Sequence, residues 1–465
     1  MDTKKSDKFY LGTFGAILPF LVFLACIIYL CVQHKAGSAT CGAAAFVGFL
    51  TAFFTMKDKS RFKELTLKGF GSNMLAAMLI AFLLAGVIAK MMAMSGLTNS
   101  LVWVAMKLGM NAKFFPLLIF ITAAIISSAT GTSAGTMSTV SPVLLPMAIA
   151  MGCHPALSVG SVIAGSMFGD NLAPVSDTTI ASAVSQETSV TNVVRTRFKY
   201  CIIAGLISVV LYVYFGISTT QAVDASSVAM EANPMALSLL VVPILVVILM
   251  LRQKGLVFSM TIGIVVGLFL CLIFGLIPAS EILTGSGVIA GGFSGMMGIF
   301  PFFYFIYSMI EFMHEGGVIE AFEAKILDFA TTPRKADISA GLLATIGSVL
   351  ISSPTVTILT FGPIVRNILK KFNIDRTRGA NIMDGIACAF GGILPYAATF
   401  LVGVTQAELT GAVDMTKYTS FSFIPYVFHC WALLAVFWIS IFTGWGRKTE
   451  DPSNAKDGYD VVDTL

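Results

Sequence analysis

The run Gly169-Asp170-Asn171-Leu172-Ala173-Pro174-Val175-Ser176-Asp177-Thr178-Thr179 places two carboxylates, one amide and three hydroxyls in an otherwise apolar stretch. A charged aspartate at the centre of a bilayer costs at least ~2.5–3.5 kcal/mol, so two in one span require a cation, a proton or a partner. Pro174 has no backbone N–H and opens the helical ladder, which should free carbonyls near residues 169–171 as oxygen ligands. Hard cations such as Na+ take oxygen donors of this kind, by the reasoning that holds for calcium and magnesium. Burial favours the protonated carboxyl and a bound cation favours the ionised one, so H+ and Na+ would displace one another here. The plainer alternative is that an aspartate caps a half-helix. Asp177 stands where it could cap the helix that follows Pro174.

The elements that hold this run must be transmembrane. Of 465 residues 56% are hydrophobic and 12% charged, about half the charge of a soluble domain. Apolar stretches long enough to cross a hydrocarbon core of roughly 30 Å recur along the chain. They fall at 9–33, 37–56, 69–94, 113–151, 155–183 and 199–217, then at 235–251, 256–277, 287–313, 336–371, 379–408 and 420–445. The first is too long for a signal-peptide core and lacks an evident cleavage site, so it reads as a retained helix. The eight cysteines form no C-x-x-C pair and no cluster with histidine, so they read as small buried hydrophobes. Gly131-Thr132-Ser133-Ala134-Gly135 matches the hydrolase motif G-x-S-x-G, which has meaning only on a strand–turn–helix with a histidine and an acid nearby. No phosphate-binding G-x-x-x-x-G-K-[ST] loop is present, which argues against an ATP-driven pump. No paired nucleophile and base argues for an enzyme, and no cofactor is expected.

The chain is written twice. Pro142 recurs as Pro363 and Pro174 as Pro395, both at an offset of 221, and Pro19 answers to Pro243. Ser127-Ser128-x-Thr130-x-Thr132 recurs as Ser352-Ser353-x-Thr355-x-Thr357 at 225. Duplicated halves are a signature of secondary transporters and speak against a passive channel. The fourth apolar element of each half is too long for one span and is interrupted, at 127–133 and at 352–357. If both are re-entrant hairpins and the N-terminus is inside, all of the 29 lysines and arginines except Lys35, Lys107, Lys113, Lys417 and the intramembrane Lys90 are cytoplasmic. If they cross, Arg195, Arg197 and Lys199 fall outside, against the positive-inside rule. The expected architecture is therefore an all-α polytopic membrane protein of two inverted repeats, each with five transmembrane helices and one re-entrant hairpin. That gives ten crossings, two hairpins, and broken helices at the centre. The first repeat spans 1–217, an external linker 218–234, the second repeat 235–445 and a cytoplasmic tail 446–465. Non-helical backbone at membrane depth is tolerated only where protein or a water-filled cavity satisfies it, so both hairpin tips point to a shared central site.

The string G-D-N-L-A-P-V-S-D-T-T, residues 169–179, resembles the signature of the NhaC-type Na+/H+ antiporter family within the larger ion transporter superfamily. Length, duplication and paired hairpins extend the resemblance over the whole chain. It implies that Asp170, Asn171, Ser176, Asp177 and Thr178 line the ion site, with Na+ at Asp170 and Asp177, and that the tip carrying Ser127, Ser128, Thr130 and Thr132 faces them. In the second half Gly391 stands at the place of Asp170 and Ala398 at that of Asp177. Ser352, Ser353, Thr355 and Thr399 would complete a neutral pocket for a second ion or a solute. Lys90 and Glu311 are repeat-related and opposite in sign, so they either pair between the halves or snorkel apart. Asp384, half a span before the second break, is a candidate gate. His314 and Glu315 read as a solvated helix end, and His429 as a hydrogen-bonded packing residue. The partners expected are Na+, H+ and the lipid bilayer of a bacterial cytoplasmic (inner) membrane, with both termini cytoplasmic and no nucleic acid. The resemblance allows a homodimer. The competing function is a Na+- or H+-coupled carrier of a small organic solute, a carboxylate such as malate or lactate, or an amino acid. A carboxylate substrate calls for an arginine at the site, and no arginine is expected at mid-membrane.

Overall fold

The computed structural model describes residues 8–33, 38–221, 232–252 and 254–450. Most of the expected linker 218–234 and most of the tail 446–465 lie outside the described residues. Among the described residues the regular structure is helical apart from two isolated β-bridges, Phe9 with Met56 and Ile374 with Thr449. In order the helices are α1 (Gly12–Val32), α2 (Ser38–Thr55), α3 (Lys59–Phe70), α4 (Asn73–Met94), α5 (Leu97–Lys107), α6 (Phe115–Thr130), α7 (Ser133–Ala150), α8 (Pro155–Leu172), α9 (Asp177–Ser185) and α10 (Val190–Thr219). The second half continues with α11 (Val241–Leu251), α12 (Leu256–Ile273), α13 (Val288–Met297), α14 (Phe300–Glu315), α15 (Val318–Phe329), α16 (Pro333–Ile351), α17 (Pro354–Lys371), α18 (Arg376–Ile393), α19 (Ala398–Leu409) and α20 (Phe428–Thr443). Among the described residues six helical stretches are long and apolar enough to span a membrane, or nine if each of three bent pairs is one span. The chain is a multi-pass membrane protein.

Helices α5, α7, α8 and α9 begin 221 residues before α15, α17, α18 and α19. The left-handed residues follow the same offset: Gly96 answers to Gly317, and Gly131 to Ser352. This register corrects the 225-residue match of the serine–threonine runs. Residue 352 stands where residue 131 does because the backbone there needs φ > 0, whatever the side chain. Three helices were not foreseen in the sequence. The amphipathic α3 occupies the basic stretch after α2, and α5 and α15 follow the turns at Gly96 and Gly317.

The helices form two packed groups, each drawing on both halves of the chain. In one, α1 and α2 pack together, α14 lies on α2 and α3, and α13 lies on α4. A Cβ at Gly86 would stand 2.3 Å from the Gly292 carbonyl oxygen, so α4 and α13 touch through backbone. In the other group α6 packs along α8, α16 on α17 and α18, and α10 on α20. Gly165 and Gly169, four residues apart on α8, face the Phe120 and Ala124 carbonyls, where a Cβ would stand 2.3 Å away. Small residues at this spacing allow close helix approach where the hydrophobic effect supplies no drive.

Both interrupted elements are helical hairpins. Beyond α7 the chain returns to the start of α6, where the Cys153 thiol donates to the Ala112 carbonyl at 3.2 Å. Gly131 ends α6 at φ 70°, and Thr132 caps α7 by accepting the Gly135 N–H. In the second hairpin Ser352 at φ 59° ends α16, and Pro354 opens α17 at its first turn, where the missing N–H is no loss. The base of the first hairpin lies by the C-terminal end of α10, where Gln221 N–H donates to the Gly152 carbonyl. The base of the second lies by the N-terminal part of α10, where Arg378 reaches Asp337 at 2.9 Å and the Tyr200 hydroxyl at 3.1 Å. A helix of 30 residues is about 45 Å long, so the hairpin bases sit toward its opposite ends.

Candidate ion-binding site

Helix α8 stops at Leu172 because Ala173 turns extended and Pro174 cannot donate. Helix α9 restarts at Asp177 after Ser176 in its N-cap position. The twin break between α18 and α19 has the same extended residues, Leu394 and Ala397, around Pro395. Each hairpin tip rests on its own break. A Cβ at Gly131 would stand 2.6 Å from Val175, and the Ala398 N–H donates to the Ser352 carbonyl at 3.1 Å.

Asp170 is 3% exposed. It faces the Ser133 and Ser176 hydroxyls and the carboxylates of Asp177 and Asp384. Among the described residues its Oδ1 meets no hydrogen-bonding group, and neither do the side-chain oxygen and nitrogen of the buried Asn171. Ser176 and Thr178, both buried, bond to each other at 3.0 Å. Asp177 is exposed, yet it accepts a 2.6 Å bond from Thr355 on the second hairpin. The first break and the second tip therefore meet directly. Ser133, which opens α7 and faces Asp170, is not among the residues expected from the sequence.

Some other expected residues bond to nearby backbone. The Ser127 hydroxyl donates to the Ser166 carbonyl at 2.6 Å and so locks α6 to α8. Thr130 donates to the Ile126 carbonyl, Thr132 is a cap, and Thr399 donates to the Gly391 carbonyl at 2.5 Å. Ser128 lies beside Gly169. Ser353 is the buried N-cap residue of α17, and the buried Ser352 hydroxyl meets no hydrogen-bonding group. Thr357, one turn further, is buried with an equally unmatched hydroxyl.

Several expectations need correction. Two of the carbonyls at the break already accept a hydrogen bond: that of Asp170 from the Ala173 N–H, and that of Asn171 from Arg197. Arg197 is 0% exposed, so an arginine does lie at the site. It pairs with Asp384, also fully buried, at 2.5 Å. Asp384 is thereby a paired carboxylate. Glu311 pairs with Lys68 at 2.7 Å and not with Lys90, which lies beside Gly291. Glu315 is held by Lys8 and Arg61, so it does not stand alone in solvent. His429 is buried against the Phe168 ring and makes no hydrogen bond through either ring nitrogen.

The Na+/H+ antiporter family profile matches residues 10–217 and again 218–445. The Na(+)/H(+) antiporter NhaC of Alkalihalophilus pseudofirmus is 23% identical over 367 residues, covering 74% of this chain and 78% of the relative. NhaC of Bacillus subtilis is 25% identical over 332 residues, 65% of this chain and 71% of the relative. The malate-2H(+)/Na(+)-lactate antiporter of Bacillus subtilis is 22% identical over 399 residues, 81% and 82% of the two chains. With a family match over nearly its whole length, the chain belongs to the Na+/H+ antiporter family, as an NhaC-type member.

Proposed function

We propose that this protein exchanges Na+ for H+ across a bacterial cytoplasmic membrane by competition at Asp170 and Asp177. The observation that carries the reading is the buried Asp170 carboxylate, one of whose oxygens meets no protein donor. Burying such a group uncompensated is costly, and a proton or a cation relieves that cost. Asn171, Ser133 and Ser176 are the neutral oxygen donors at hand. Asp177 supplies a second carboxylate, on the exposed face of α9. An empty site would carry uncompensated charge and resist movement, which ties the passage of one ion to the return of the other.

The two halves act as inverted repeats, 1–217 and 235–445, with the hairpins entering from opposite membrane faces and both termini cytoplasmic. Three observations support this: the shared 221-residue register, the hairpin bases at opposite ends of α10, and the meeting of Thr355 with Asp177. The state is one-sided. Asp177, Ile180 and Val184 form an exposed stripe on α9, whereas their counterparts Ala398, Leu401 and Thr405 on α19 are buried. Exchanging these two environments by moving hairpins and broken helices against the outer helices would carry the site from one face to the other.

A carrier of organic carboxylates is the weaker reading, because Arg197 already faces the Asp384 carboxylate and four further protein acceptors. The test is Na+-dependent alkalinisation of an acid-loaded lumen in proteoliposomes. Wild type should respond and Asp170→Asn should not. Residual proton-coupled exchange in the variant would refute the assignment of Asp170. A wild type silent to Na+ but responsive to an added dicarboxylate would favour the weaker reading.

A further inference from the structure

Three carboxylates and one guanidinium gather at the break, and the guanidinium does not treat the carboxylates alike. Arg197 lies on the buried stripe of α10 with Val193, Cys201 and Ala204. Its Nη1 lies 2.5 Å from Asp384 Oδ2 and donates to the Asn171 carbonyl at 3.2 Å and to Thr179 Oγ1 at 3.1 Å. Its Nη2 donates to Ser182 Oγ and its Nε to Asn381 Oδ1, both at 3.2 Å. A guanidinium has five N–H groups, and here five acceptors on α8, α9 and α18 surround it. The Asp384 carboxylate is equally engaged: Cys388 donates to Oδ1 at 3.0 Å and Ser182 to Oδ2 at 3.3 Å. Asp170 and Asp177 receive nothing from Arg197, although Asp384 is close enough to act electrostatically on both.

We propose that Arg197 and Asp384 are a charge-cancelling positioning pair: the guanidinium is a resident cation that withdraws Asp384 from ion binding and leaves Asp170 and Asp177 as the two exchanging carboxylates. The inference rests on the reading that these two aspartates take Na+. Breaking a fully buried pair of this kind is costly, because the partner left behind is an uncompensated buried charge. Removing the arginine leaves Asp384 as a third carboxylate beside the site. Removing the Asp384 charge leaves a buried guanidinium that competes with the arriving cation. The two single changes shift the charge of the site by one unit in opposite directions, and the double change restores it.

The experiment is a double-mutant cycle read as the apparent KM for Na+ in proteoliposomes and, independently of transport, as Na+-dependent thermal stabilisation of the purified protein. Asp384→Asn should weaken Na+ binding about a hundredfold or more, the effect of one uncompensated charge a few ångström away at an effective dielectric near 20. Arg197→Gln should tighten Na+ binding while lowering the maximal rate, because the ion is then held too firmly. The double variant should return to within about threefold of the wild-type affinity. Weakening in both singles, or a double variant no nearer to wild type than the singles, overturns the proposal, since a merely structural pair gives losses of one sign. If Arg197→Gln does not fold, Arg197→Lys decides. It keeps the charge and loses the fork, so affinity near wild type supports the proposal and a change like that of a lost charge refutes it. A wild-type protein that binds no Na+ in the thermal assay refutes the functional reading itself, and the pair falls with it.

Discussion

Thr355→Val isolates the contact between the two halves of the chain. The Thr355 hydroxyl donates to Asp177 at 2.6 Å, and valine keeps the branched shape and almost the volume while removing the donor. A hydrogen bond to a charged group is worth about 1.5–3 kcal/mol net. Asp177 is exposed, so water replaces part of what the hydroxyl gave, and the loss should fall near 1–1.5 kcal/mol. That corresponds to about a five- to tenfold rise in the apparent KM for Na+, because the lost donor favours the ionised carboxylate that binds the cation. The assay is initial alkalinisation of pyranine-loaded proteoliposomes against Na+ concentration at fixed pH. Thr355→Ser keeps the hydroxyl and should stay within about twofold of wild type, below the scale of one lost bond. If Thr355→Val leaves KM unchanged, or if the serine variant loses as much as the valine, the contact does not tune the site and the argument from geometry fails.

Two further perturbations test the packing and the tail. Gly169→Ala would drive a methyl group to 2.3 Å from the Ala124 carbonyl oxygen and 2.6 Å from Ser127 Cβ, an overpacking that costs about 1–3 kcal/mol or more. Its melting midpoint in detergent should fall clearly, and melting like wild type would show that α6 can yield. Glu450 lies near Arg366 and Arg376 at 2.8 and 2.7 Å. Burial works to raise its pKa, but the two guanidinium groups outweigh it and hold the carboxyl below the usual glutamate range. A depressed pKa means that this tie is intact at neutral pH and is lost as pH falls below about 4.5, the unperturbed value, through the lowered one. Limited proteolysis should therefore find the segment around Glu450 protected at pH 7 and released in acid. Glu450→Gln should be released already at pH 7, and equal protection of both proteins at both pH values would refute the tie.

What the sequence disclosed and what it hid have separable causes. Asp170, Asp177 and Pro174 were legible because a carboxylate or a proline inside an apolar helix is costly and stands out against its neighbours. The hairpins were legible through length and interruption, and their caps at Thr132 and Thr332 are of the usual kind. The register of the tips was not, because like side chains were matched where the backbone is what repeats. Gly131 and Ser352 share a left-handed conformation and no chemistry. Nor could the sequence show that Ser127 and Thr399 spend their hydroxyls on nearby helix carbonyls. Hydroxyl groups in apolar helices commonly bond backward to the backbone, so a serine or threonine near a break does not by itself mark a ligand.

Arg197 is the instructive miss, because its position could have been read from periodicity. Arg195, Arg197 and Lys199 invite treatment as one basic patch, and counting charges by segment gives them a common face. On a helix, successive odd positions do not share a face: residues two apart point about 200° from one another at 3.6 residues per turn. Arg197 falls in line with Val193, Cys201 and Ala204, and Arg195 does not. The same spacing puts Asn381, Asp384 and Cys388 on one stripe of α18, the stripe that meets Arg197 and Thr178. Two polar stripes facing inward from different helices cannot both remain unpaired in a membrane interior. Once Arg197 is placed on the buried face it needs an acid, and Asp384 is the acid that the second break, lacking carboxylates at Gly391 and Ala398, has no other use for. The asymmetry between the halves thus has a physical meaning. The first break carries the carboxylates proposed to exchange ions, and the second half contributes a carboxylate paired with Arg197, together with the hydroxyl of Thr355.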